Sequence, residues 1–330
     1  MVGGEETRLG GVAPRHTQHS TQSRPVPHRA PPHPLQSPRV VVMTELPARA
    51  EVRLYGMTVG HLVGTSWRDF DLRITDEAIE RFGMGSTILS QSIPLVPQPQ
   101  PGRARRRRNF FAEALPEGGI RERLAQRAGV SSTDTLGLLL AYGREAAGAV
   151  GVMDMTAPDS ADLPRTVDLT ETQVAELLAD STSYPLGNAP VTGKASLAGV
   201  QEKTLLARRE SKDGPVWAQC LFGYPSTHIL KPVSMSYPDM IYNEEFALRI
   251  ARSVGLVSYA SWVETFDGRD ALVIERYDRD HRLPDGRLHQ EDFCQVLGIS
   301  SAQKYQEQGG AVSLRRVARA LVTAQDNTGL

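Results

Sequence analysis

From residue 51 onward the apolar positions keep one of two periods, and the changes of period mark the elements. In EVRLYGMTVGHLV, residues 51–63, Val52 and Leu54 alternate with polar neighbours, Tyr55 and Gly56 interrupt, and alternation resumes from Met57 to Val63. Period two broken by a glycine predicts a β-hairpin. Phe70, Leu72 and Ile74 alternate as a further strand, and Thr75 or Asp76 stands where a cap is needed for a helix over DEAIERFG. Another strand is expected over STILSQSIPLV, residues 86–96, running into a proline-rich break. Helical spacing returns over NFFAEALPEGGIRERLAQRAGV, residues 109–130, and over residues 136–147. Together these elements predict a first α+β module over residues 43–155.

Residues 156–195 mix Pro and Gly around one well-signalled helix, DLTETQVAELLAD, with Thr170 as its cap and Val174, Leu177 and Leu178 on one face. They are expected to connect two modules. From Ser196 the pattern reads strand, turn, strand, then a helix over YNEEFALRIARSVGL, residues 242–256, then two more strands. Phe246, Ile250 and Val254 form the expected buried stripe of that helix. From Glu291 onward the chain reads as helical, and no internal repeat is found. Residues 1–42 stand apart. They carry His16, His19, His28, His33 and several prolines without apolar periodicity, so a disordered leader is expected. A His-rich metal-binding tail is the alternative, and Met43 is a candidate start.

Composition changes this picture little. Apolar content of 40% and charged content of 23% suit a globular chain of 330 residues, and the net charge of -1 gives no global attraction to nucleic acid or an anionic membrane. Apolar runs such as Leu138–Ala141 fall far short of the ~20 residues that span a bilayer, so no membrane association is expected. Cys220 and Cys294 are the only cysteines, too few for a disulfide framework or a zinc site, which points to a reducing cytoplasm.

Four stretches bear on chemistry. In SLAGVQEKTLLARR, residues 196–209, a turn of small residues leads into a strand, so that backbone N–H groups can approach a phosphate and Lys203 can add charge. Alone, one glycine in a turn is ordinarily just a turn. In STHILKPV, residues 226–233, an apolar strand ends on Lys231, the place where a kinase lysine meets nucleotide phosphates, although an exposed strand-end lysine is the plainer reading of a single residue. Glu244 and Glu245 open the helix over 242–256, where a carboxylate can pair with Lys231 or simply answer the helix dipole. In DALVIERYDRD, residues 270–280, an apolar run empties into Glu275, Arg276 and Tyr277 like a buried strand ending in a hinge.

In this order, and followed by HQEDFCQVLGISSAQKYQEQGG at residues 289–310, the stretches resemble the HipA family of serine/threonine kinases, toxins of bacterial toxin–antitoxin pairs. Residues 110–150 are similar to the N-terminal domain that couples HipA to its partner. The resemblance implies an α+β fold, with that coupling module followed by a kinase-like nucleotide-binding lobe over residues 196–320. It implies ATP and Mg²⁺ as cofactors and nucleotide contacts from Ala198, Gly199, Gln201, Lys203, Lys231, Glu244, Glu275 and Tyr277. Ser196 would be the site of regulatory autophosphorylation. The implied partners are a HipB-like helix-turn-helix antitoxin, operator DNA through that antitoxin, and a protein substrate such as an aminoacyl-tRNA synthetase.

The pattern also departs from the family. A kinase needs an Asp to orient the substrate hydroxyl and an Asn and an Asp for its metals. After Gly310 only AVSLRRVARALVTAQDNTGL follows, and Asp326 and Asn327 lack the spacing of a catalytic loop. The expectation is therefore a helical catalytic lobe that is largely missing, an incomplete Mg²⁺ site, a non-family tail over residues 321–330, and no phosphate transfer by this chain alone. The rival expectation is a non-catalytic binding protein, or one half of a split kinase. Arg103 and Arg105–Arg108 read as a solvated helix start rather than a nucleic-acid patch. Trp67, Trp217 and Trp262 read as core residues, and His61, His228, His281 and His289 as isolated from any metal.

Overall fold

The computed structural model describes residues 48–66, 68–156, 163–283 and 285–326. Expectations for residues 1–42, Met43, Trp67 and Asn327 lie outside the described residues. The hairpin forms as read, with β1 (Ala48–Leu54) and β2 (Met57–Val63) antiparallel through a tight turn at Tyr55–Gly56. β3 (Asp71–Ile74) pairs with β2, and Thr75 caps α1 (Asp76–Phe82) by accepting a hydrogen bond from the Ala78 N–H at 3.2 Å.

The segment over 86–96 is not a strand. Its backbone closes on itself, with the Leu95 N–H donating to Ser86 O at 2.9 Å and the Ile93 N–H to Ser90 O at 3.1 Å. The Ser90 hydroxyl accepts from the Ser92 N–H at 3.0 Å, so a local turn takes the bonds a ladder would have used. Leu89, Ile93 and Leu95 are nevertheless buried, and that burial produced the alternation.

The helical stretch that follows divides at Pro116 into α2 (Ala104–Ala112) and α3 (Gly118–Ala128), and α4 (Thr135–Tyr142) is shorter than its periodicity suggested. The Asp134 carboxylate starts α4 by accepting from the Gly137 N–H at 2.8 Å. β4 (Val150–Asp154) returns to pair antiparallel with β1, which gives a four-stranded sheet of order β3-β2-β1-β4. Phe110 and Phe111 of α2 are buried beneath this sheet, each contributing about 1.5–3 kcal/mol of burial. The basic cluster is only partly solvated. Arg107 is buried and grips Asp71 of β3 with two bonds of 2.5 and 2.8 Å.

The segment expected to connect the modules supplies parts of the second one. β5 (Arg165–Asp168) pairs with β7, and α5 (Glu171–Ala179) begins with a capping box between Thr170 and Gln173. Its Val174, Leu177 and Leu178 are buried. The sheet is completed by β6 (Thr204–Ser211), β7 (Gly214–Leu221), β8 (His228–Pro232), β9 (Ser261–Phe266) and β10 (Arg269–Glu275), in the antiparallel order β5-β7-β6-β8-β10-β9. α5 covers one face, against Leu206, Leu230, Ala271 and Val273, and α6 (Met240–Ser253) covers the other, through Ile241 against Leu272 and Ile274. β10 is thus buried on both sides, which is why ALVI reads as an unbroken apolar run. Trp217 and Trp262 pack edge-on against the His228 ring, and burial there pushes the imidazole down to about 4.

The expected stripe of α6 is a correction. Phe246, Ile250 and Val254 are 65%, 49% and 64% exposed, because the helix meets the sheet through Ile241 and Leu248. Residues four apart share a face, yet periodicity does not say which neighbour, if any, covers that face. The chain continues with α7 (Phe293–Leu297), capped by Asp292 and Gln295, and α8 (Leu314–Asp326).

Candidate functional site

The turn before β6 is held from three sides. Asn188 clamps Ala195 by accepting from its N–H at 3.0 Å and donating to its carbonyl at 2.8 Å. The Ser196 N–H donates to Glu145 O at 2.7 Å, and the Ser196 hydroxyl, fully buried, donates to Ala114 O at 2.7 Å. The Gly199 carbonyl accepts from the Glu117 N–H at 3.3 Å. Ala114, Glu117 and Glu145 belong to the first module, so the turn lies where the two sheets meet.

Inside the turn lie a buried ammonium and a buried side-chain amide. Gly199 has φ +108°, and a Cβ there would stand 3.1 Å from Lys203 Nζ, so the glycine leaves room above the ammonium. Lys203 is buried, and its Nζ donates to Ala198 O at 3.2 Å. Burial, with the nearby charge of Lys231, lowers its pKa to about 8. The Gln201 side-chain NH2 is buried without a hydrogen-bond partner. A buried cation beside an orphaned donor is costly unless an acceptor arrives.

Lys231 leaves β8 opposite Leu272 and meets Glu244 of α6 at 2.5 Å. A strand places the lysine and a helix the carboxylate, so this pair exists only because α6 packs across the sheet. At the end of β10 the side chains alternate. Glu275 faces out and accepts from the Ala260 N–H at 3.0 Å, Arg276 turns inward, and Tyr277 is half exposed, stacked on Tyr259 at 5.6 Å between ring centroids. The Tyr277 hydroxyl bonds to the Gln290 side chain.

Arg276 enters a buried ionic cluster that sequence reasoning missed. The Glu145 carboxylate accepts from Arg276 and Arg279, each at 2.7 Å, and from the Ser226 hydroxyl at 3.2 Å. Asp278 accepts from Arg276 at 2.8 and 3.0 Å, from Arg279 at 2.9 Å, and from the Gly148 N–H at 2.7 Å. Burial alone would raise the Asp278 pKa, but the Arg276 hydrogen bond and both guanidinium charges bring it down to about 2. Burial and the charge of Arg276 lower Arg279 to about 10. Glu145 of the first module and three charged residues within 276–279 share one buried site, and no local pattern in the sequence pairs them. The only available signal was the unusual density of charge in ERYDR directly after a buried strand.

The comparisons with known proteins agree with this architecture. The HipA N-terminal domain matches residues 50–153, and the HipA-like C-terminal domain matches residues 195–329. The chain belongs to the HipA family. It is 36% identical over 229 residues to the putative kinase Y4mE of Sinorhizobium fredii, covering 67% of this chain and 53% of that protein. It is 29% identical over 222 residues to the serine/threonine-protein kinase toxin HipA of Shewanella oneidensis, covering 66% of this chain and 49% of that one. The chain spans about half the length of the curated relatives it matches. Among solved structures, the Shewanella oneidensis HipA, HipB and operator DNA complex matches with a TM-score of 0.64 and 26% identity, covering 84% of this chain and 67% of that one.

Within the HipA fold, then, Ala198, Gly199, Gln201 and Lys203 share one turn, Lys231 and Glu244 form one ion pair, and Glu275 and Tyr277 share one strand end. Among the described residues no group of three or more His, Cys, Asp or Glu side chains is gathered in a way that could hold a metal ion.

Proposed function

We propose that this chain is the nucleotide-binding part of a HipA-type serine/threonine kinase of a bacterial toxin–antitoxin module. The observation that carries the reading is the turn over 196–203, where buried Lys203 and the unpartnered Gln201 amide sit beside the Lys231–Glu244 pair. Bound ATP would supply the transferable phosphate. Lys203, Gln201 and the backbone around Gly199 would hold its phosphates, Glu244 would keep Lys231 aimed at them, and the edge at Glu275–Tyr277 would take the adenine.

By itself this segment binds nucleotide and does not transfer phosphate. Glu244 is engaged by Lys231 and Glu275 by the Ala260 N–H, so neither of these carboxylates is free to orient a hydroxyl. Ser196 as a regulatory phosphorylation site requires movement. Its hydroxyl is buried against Ala114 O, and a phosphate carrying ~1.5–2 negative charges would have to expel the turn. The first sheet and its helices would couple to a HipB-like antitoxin and through it to operator DNA, a reading supported by the solved complex of the Shewanella oneidensis relative with HipB and its operator DNA. A protein substrate such as an aminoacyl-tRNA synthetase and a cytoplasmic location complete the reading. Among the described residues no helix is long and apolar enough to cross a membrane.

The test is titration of the purified chain with a fluorescent ATP analogue. Binding is expected in the wild type and lost in Lys231→Met, with no phosphate on Ser196 by mass spectrometry after incubation with ATP and magnesium. Equal binding by both forms would refute the site. Phosphate on Ser196, absent in Lys231→Met, would refute the claim that the segment cannot transfer it.

A further inference from the structure

Glu145 occupies an unusual place in the fold. It follows α4 in the first module, and it makes a parallel bridge to Ala195, its N–H donating to Lys194 O at 3.1 Å and its carbonyl accepting from the Ser196 N–H at 2.7 Å. Its backbone therefore holds the start of the 196–203 turn. Its side chain holds the opposite edge of the candidate site. One carboxylate oxygen accepts from Arg276 and Arg279, which flank Tyr277, and from Ser226, which precedes β8 and Lys231. Glu145 is 1% exposed and its second carboxylate oxygen is buried without a partner.

We propose that Glu145 is a positioning residue that sets the spacing between the two edges of the nucleotide site, the phosphate turn and the strand end over 275–277. The inference rests on the nucleotide reading above and deepens it. Three donors converge on one oxygen, a demand that a full negative charge meets and a neutral amide meets poorly. The neighbouring donors extend the same grip to the backbone. Arg276 and Arg279 both donate to Ala146 O, at 3.1 and 2.9 Å, Arg279 to Gly148 O at 3.2 Å, and Arg287 to Arg144 O at 3.2 Å. The loop over 144–148 is thus fixed to the strand end along its length, while Glu145 alone also bonds to Ser196. No second residue among the described ones has its backbone on the turn and its side chain on Arg276.

A merely structural cluster would make a different prediction, and two variants separate the cases. Glu145→Gln keeps the shape, removes the charge, and places an NH2 group among cations. Asp71→Asn weakens the other buried ion pair of the first module, with Arg107, which touches neither edge of the site. The 330-residue chain carrying each change is titrated with ATP and its thermal midpoint measured. Glu145→Gln is expected to weaken ATP binding roughly tenfold or more, the scale of one charge-assisted hydrogen bond. Asp71→Asn is expected to lower the midpoint and leave the affinity as in the wild type. A loss in Glu145→Gln no larger than in Asp71→Asn overturns the proposal while the nucleotide reading stands. A wild-type chain that does not bind ATP overturns both. Should Glu145→Gln fail to fold, Ser226→Ala removes a single donor from the same oxygen. A roughly threefold loss then supports the proposal, and unchanged affinity overturns it.

Discussion

Replacing Gly148 by Ala tests the seam between the two sheets with a single methyl group. Gly148 has φ +72°, and a Cβ there would lie 2.8 Å from the Gln290 amide nitrogen and 3.1 Å from its carbonyl oxygen. Two costs add. An alanine in the left-handed region costs about 1–2 kcal/mol, and forcing a methyl group against backbone that is itself packed costs about 1–3 kcal/mol. Gly129, at the end of α3, supplies the control. Its φ is +66°, and nothing lies within 4 Å of the Cβ position, so Gly129→Ala carries only the first cost. The entropy an alanine removes from the unfolded chain is the same in both variants and cancels in the comparison. The difference is then about 1–3 kcal/mol, which for a chain of this size lowers the thermal midpoint by about 2–5 °C more in Gly148→Ala than in Gly129→Ala. Circular dichroism melts of the two variants side by side measure it. Equal midpoints would mean that residues 289–290 do not press on the 144–148 loop, and the account of the seam would fall with them.

Three further outcomes are expected. Because Lys203 titrates near 8, its ammonium is present below that pH and lost above it, so ATP affinity should hold to pH 7 and fall by pH 9, whereas Lys203→Arg should stay level in the same titration. Glu113 accepts from the Ser301 N–H and is raised by burial to about 7. The folded chain thus keeps a proton that the unfolded chain releases near 4.5, and this contribution to stability, complete at low pH, is lost as pH rises through 7. Urea unfolding at pH 5, 6, 7 and 8 should show a shallower decline in Glu113→Gln, and parallel curves would count against it. Phe246→Ser should change stability by no more than about 0.5 kcal/mol, since the ring is mostly exposed, against about 3–5 kcal/mol for truncating a buried phenylalanine such as Phe110. A large shift of the urea midpoint in Phe246→Ser would show that the face of α6 is covered.

Much of this protein follows from the sequence alone, because local backbone chemistry is local. The hairpin at Tyr55–Gly56, the caps at Thr75 and Thr170 and the strand carrying Lys231 each depend on side chains within a few residues of one another, whereas the helix expected to open at Glu244 begins four residues earlier, at Met240. The ordered motifs from Ser196 to Gly310 carried the family for the same reason. What only the tertiary structure decided depends on partners far apart in the chain. The alternation over 86–96 reported burial, and serine hydroxyls turned that segment into a loop. The stripe of Phe246, Ile250 and Val254 has the right period, but the sheet took the neighbouring face of α6. Arg107 reads as one of a run of surface arginines until Asp71, 36 residues away, claims it. Above all, Glu145 meets Arg276 across 131 residues of sequence, and burying both charges is tolerable only because each finds the other along with Asp278, Arg279 and Ser226. A charge in a sequence says that a partner is needed if it is buried, and only the fold says which one.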